Sequence, residues 1–135
     1  IDIEEINGLL PEKYSAELQK ENAYLFTVKM LEQVVQELDH YDNDMKADAM
    51  VLLEPPSIDQ RIINQYSYFS VIPRDITDIE AFLESQTVNT VKYIINKSLK
   101  WRIRDMLDQL NINERIVYPG LDGLSVWIKR HYYVK

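Results

Sequence analysis

Arg61, Asn64 and Gln65, in "DQRIINQYSYF", stand at i, i+3 and i+4, so on a short helix a guanidinium and two amides share one side. Such a group can grip a phosphate or carboxylate bidentately and read a polar ring edge. Its structural alternative is to satisfy strand ends and loop carbonyls. A few residues earlier, Glu54 closes the apolar run "MVLLE" just before Pro55 and Pro56, the strand-end position at which a catalytic carboxylate can stand. The stretch "YPGLDGLSVWIKR" holds two of the chain's three glycines. It invites comparison with a phosphate loop, but Asp122 occupies the seat that an anion would need. Read this way, Asp122 caps a closing helix, Pro119 sets the turn, and Gly120 and Gly123 permit tight packing on either side.

Two further constellations have competing readings. Lys97, Lys100, Trp101 and Arg104 offer cations and a stacking ring, as a nucleic-acid surface would. Arg104 precedes Asp108 by four and Arg102 precedes Asp105 by three, the spacings of local ion pairs, so the segment reads as a solvated helix face and nucleic acid is not expected. In "DHYDNDMKAD", Asp42 and Asp44 have the alternate spacing of a calcium loop, but Ala47 and Leu53 stand where the required Gly and bidentate Glu belong. An acidic loop is the expectation there. The chain has no cysteine, and its two histidines, His40 and His131, lie far apart, so no metal is expected. No Ser, His and Asp arrangement and no nucleophile elbow is visible.

The elements that carry these residues follow from periodicity. Ser15 to Tyr41 reads as one long helix with Leu25, Val28, Leu31, Val35 and Leu38 on its apolar face. "MVLLEPP" predicts a strand, and Ser57 with Gln60 a capping box opening a short helix. "YSYFSVIP", which contains Phe69, and "TVKYIIN" predict strands; Thr77 with Glu80 predicts a second capping box, and Lys97–Leu110 a further helix. Leu124, Trp127, Ile128 and His131 form the expected buried stripe of the last helix. With no repeat or linker, the pattern predicts a single α+β unit of short mixed strands with one long and several shorter helices.

Composition bounds the rest. The chain has 135 residues, 46% of them hydrophobic and 27% charged, which suits one folded domain without staples. Residues 1–60 hold 14 acids against 4 lysines, and residues 61–135 hold 8 acids against 11 Lys and Arg. No apolar run approaches a membrane span and "IDIEEING" is too acidic for a signal peptide, so a cytoplasmic location is expected. The absence of an initiator Met and the abrupt Ile-acid opening suggest a start inside a longer protein.

"LLEPPSIDQRIINQYSYFSVIP" and "LNINERIVYPGLDGLSVWIKR" together resemble the C-terminal half of the FRG domain, a bacterial and phage-associated family named for a Phe-Arg-Gly motif. The resemblance rests on Arg61, Ile62, Gln65, Phe69, Asn113, Tyr118, Pro119, Leu121, Asp122 and Gly123, and covers roughly residues 50–131. Ser67 departs from a frequent Gly, and the Phe-Arg-Gly stretch and the "QHYGLPTRLLDWT"-like motif after it do not occur in the chain. The resemblance implies a largely scaffolding C-terminal part whose Arg61, Asn64 and Gln65 complete a pocket with an N-terminal segment of the same protein. It also suggests an alternative, an ADP-ribosyltransferase-like toxin or defence effector using NAD, with Arg61 and Gln65 on the nucleotide and Glu54 as acid-base or ribose-binding group.

Overall fold

The apolar periodicity from Ser15 to Tyr41 does not form one helix. In the computed structural model, which describes residues 2–86 and 89–133, α1 (Ile3–Gly8) and α2 (Glu12–Lys20) are followed by Asn22 in the left-handed region at φ 50°, which ends the helical path. Asparagine tolerates that conformation better than most side chains. The chain then extends as β1 (Phe26–Thr27), burying Phe26 completely. Thr27 restarts the helix by accepting a hydrogen bond from the Met30 N–H, opening α3 (Val28–Val34), and Val35 breaks it again in extended backbone. A helical spacing of apolar residues therefore coexists with a break that burial of Phe26 in a sheet makes worthwhile.

The acid-rich stretch is likewise a helix and not the expected loop. It forms most of α4 (Leu38–Met45), with Tyr41 and Met45 buried at i and i+4, and ends at Lys46 and Ala47, both left-handed. Its acids meet cations: Asp42 accepts from the Arg74 backbone N–H and Nε, and Asp44 from Lys13 Nζ at 2.5 Å and the Tyr14 hydroxyl at 2.8 Å.

The strand expected at "MVLLE" is β2 (Val51–Glu54), the middle of a three-stranded mixed sheet. It pairs parallel with β1, Phe26 opposite Leu53, and antiparallel with β3 (Phe69–Val71), Val51 opposite Val71 and Leu53 opposite Phe69. Between β2 and β3 lies α5 (Gln60–Asn64). After β3 come α6 (Ile79–Gln86), a 3-10 turn (Lys97–Leu99), α7 (Lys100–Gln109), α8 (Glu114–Val117) and α9 (Leu121–Tyr132). The architecture is α+β, as the sequence pattern predicts. The strand predicted at residues 90–96 does not form. Ile94 is 85% exposed, and with no neighbouring strand to pair with, the backbone of this apolar run is left to water.

Both expected capping boxes are displaced by one or two residues. Asp59, not Ser57, caps α5 by accepting from the Arg61 N–H at 2.6 Å, and Asp78, not Thr77, accepts from the Ala81 N–H at the start of α6. A carboxylate nearer the first turn outcompetes the hydroxyl before it.

The described residues fall into two compact units. The first, Ile1–Pro56 with Tyr68–Lys92, holds the sheet and both apolar clusters. In the larger cluster Tyr14 meets Phe26 and Tyr41 edge-on, at 6.1 and 6.2 Å between ring centres. Ile6, Met50 and Phe82 form the smaller one. The second unit, Ser57–Ser67 with Tyr93–Lys135, comprises α5, α7, α8, α9 and the 3-10 turn. Among its described residues only Gly123 is buried. Among the described residues, no helix is long and apolar enough to cross a membrane.

Candidate functional site

The polar trio of the sequence is brought against the glycine turn, within the second unit. With α5 opened by Asp59 and braced by a Gln60–Asn64 hydrogen bond, Arg61, Asn64 and Gln65 project from one short element. The two amides are committed to backbone. Asn64 Nδ2 donates to the Ile116 carbonyl at 2.6 Å and Gln65 Nε2 to the Val117 carbonyl at 3.1 Å. A single-turn helix such as α8 leaves its last carbonyls without helical donors, so these amides do for α8 what a further turn would have done. Arg61 is left. Its guanidinium lies over the Tyr118 ring, 5.1 Å from the centre.

The turn itself is built on two glycines with different duties. Gly120 takes φ 104° and ψ −169°, a combination open to glycine alone, and serves as the N-cap of α9. Gly123 lies in the first turn of α9, where a Cβ would stand 1.9 Å from the Tyr118 carbonyl oxygen and 2.4 Å from that of Glu114. The backbone of α9 thus rests directly on that of α8. Asp122 does not cap: it is the second helical residue, and α9 has no side-chain cap hydrogen bond. Gly120 could not supply one, and the Asp122 carboxylate instead stands in the first turn, at the positive end of the helix.

Arg61, Tyr118, Pro119, Asp122, Gly123 and Glu114 line a cavity of about 260 Å³. Among the described residues, no serine, threonine, lysine or histidine lines it. The arrangement therefore offers a guanidinium over a ring, with the Asp122 and Glu114 carboxylates in the same lining, and no nucleophile-base pair. Of the residues in the NAD reading only Arg61 lines the cavity; Gln65 has spent its amide on Val117, and Glu54 ends β2, exposed, in the first unit. Phe69 begins β3, opposite Leu53.

Glu114, one of the lining residues, belongs to an ion-pair network that sequence spacing misassigns. Asp108 pairs bidentately with Arg130 instead of with Arg104, and Arg104 reaches Glu114 Oε1 at 2.6 Å. Arg130 Nη2 also donates to Glu114 Oε2 at 2.8 Å. The Arg130 hydrogen bonds hold the Asp108 carboxyl below its ordinary range. For Glu114, burial pushes upward, but its own backbone N–H, Arg130 and Arg104 more than offset it and the net direction is down. Arg130 takes an inward place on α9 in line with Gly123 and Trp127, at i, i+4 and i+7, whereas His131 is exposed. That spacing was the available signal, but a charged residue at an inward position reads as surface unless its partners are known. The Trp127 ring is covered by Arg115, 4.8 Å from its centre, and by the His131 ring at 4.4 Å.

Compared with protein-family models, curated proteins and solved structures, the chain matches none.

Proposed function

We propose that this chain is the C-terminal, largely scaffolding part of an FRG-domain protein, and that its Arg61 cavity is completed by an N-terminal segment of the same protein. The observation that carries the reading is the meeting of its two separated motifs: Arg61 lies on Tyr118, and Asn64 and Gln65 hold the carbonyls just before it. Residues that a family keeps for a shared pocket should converge in this way. Arg61 is exposed, and among the described residues its guanidinium forms no ion pair, so it is open to an anionic partner. The second unit also leaves Met106 of α7 and Leu110 just after it exposed, apolar surface that a further segment would cover.

The test is co-expression of this chain with a tagged segment carrying the Phe-Arg-Gly motif, encoded upstream of it. Co-purification that weakens on Arg61→Ala, with the variant still folded, is the expected result. A gene that encodes no such segment, or a pair that fails to associate, overturns the reading.

A further inference from the structure

A second cavity in the same unit, of about 860 Å³, is lined by Asn96, Lys97, Ser98, Lys100, Trp101 and Arg104. Three of the six are cations and none is a carboxylate. Spacing alone predicts local neutralisation here, Arg104 by Asp108 and Arg102 by Asp105. Neither pair forms: Asp108 is taken by Arg130, Arg104 by Glu114, and no ion pair engages Asp105, Arg102, Lys97 or Lys100 among the described residues. Lys97 and Lys100, at this end of α7, are therefore in ion pairs with none of its acids.

The aromatic component is open as well. Trp101 is 68% exposed, and the Arg104 guanidinium lies 5.6 Å from its ring centre, fixed from behind by Glu114. One side of the ring is thereby held and the rest remains available. Asn96 pins the entry by accepting from both the N–H and the hydroxyl of Ser98, at 3.0 and 2.9 Å, which fixes the backbone from which Lys97 and Lys100 project. An indole left in water beside unpaired lysines is a poor solvated face, but it is the combination that a planar base with an attached phosphate requires.

We infer that the Lys97–Arg104 cavity binds a nucleotide unit, its base stacked on Trp101 and its phosphate held by Lys97 and Lys100. The unit is either a free nucleotide or part of a single strand, which share this chemistry. The site is separate from the Arg61 cavity, and its success or failure is independent of the family reading.

The experiment uses the full chain and two probes, a fluorescein-labelled strand of about twelve thymidines read by anisotropy and thymidine monophosphate read by calorimetry, each across a salt series. Strand binding should weaken with salt, and replacing Lys97 or Lys100 by Gln should lower the slope of log K against log salt by about 0.7 for each phosphate contact removed. Trp101→Ala should weaken either probe about tenfold at fixed salt. Binding of the monophosphate with the same dependence on Trp101 identifies a free nucleotide as sufficient; binding of the strand alone identifies the polymer. If neither probe binds at about 50 mM salt, or if K97Q/K100Q and W101A both bind as the parent does, the inference is wrong. Far-UV circular dichroism accompanies each variant, and because both lysines are exposed, K97Q/K100Q remains informative even if W101A loses its fold.

Discussion

Gly123 sets the tightest constraint in the chain. The atoms that an added methyl would strike are backbone carbonyl oxygens of Tyr118 and Glu114, which cannot rotate away as a side-chain tip would. Gly123→Ala should therefore cost about 3 kcal/mol in urea denaturation, at the severe end of overpacking effects, and should distort the Arg61 cavity with it. Arg130 is the second residue on which the unit depends. Its side chain is only 17% exposed and serves two carboxylates, so Arg130→Met should destabilise by about 2 kcal/mol, less than for a fully dry pair because the site is partly wet. The same contacts set a pH dependence. Asp108 and Glu114 are both shifted down on folding, so their contribution is present above their unfolded values near 4 and is lost as pH falls through the lowered folded values. The urea midpoint of the parent protein should fall from about pH 4 downward, and that of Arg130→Met should fall less steeply. Sequence pattern identified Gly123 and Arg61 as special, yet it placed His131 on the buried stripe and did not single out Arg130, because one step along a helix separates them and only the partners distinguish the two.

At the scale of elements, Tyr41 joins α4 to the sheet. Its hydroxyl donates to the Val71 carbonyl at 2.5 Å and accepts from the Val51 N–H at 3.2 Å, so one side chain satisfies backbone on β2 and β3 together. Burial, chiefly, raises its pKa to about 12. Tyr41→Phe keeps the ring but leaves both groups without that partner, and a loss of about 2 kcal/mol is expected from chemical denaturation. The sheet was partly legible in advance. β2 and β3 announce themselves by apolar runs stopped by proline, whereas β1 is two residues long and hidden inside a helical periodicity. Nothing in the local spacing reports that Phe26 will be fully enclosed beside Leu53, since that contact joins segments distant in the chain. For the same reason residues 90–96 carry strand composition without a strand: propensity is local, but a ladder needs a partner.

For the molecule as a whole, the two units differ in what holds them. The first has buried aromatic and aliphatic clusters; the second is joined by backbone packing at Gly123, amide-carbonyl bonds and the Arg130 network. Hydrogen exchange followed by mass spectrometry should find α2, α4 and β2 protected for far longer than α5 and α7, because local opening costs least where few apolar contacts are lost. Comparable protection in both sets would show that the second unit has a stability its burial does not explain. The α+β class, the proline-bounded strands, the helix around Trp101 and the glycine turn follow from the sequence alone, because each depends on residues within a few positions of one another. The tertiary structure decided which polar groups are spent and which are free. Asn64 and Gln65 are consumed by carbonyls 52 residues away, Asp108 is drawn off by an arginine 22 residues on, and among the described residues Arg61, Lys97 and Lys100 form no ion pair. Those pairings are set by proximity in space, and spacing along the chain carries no record of them.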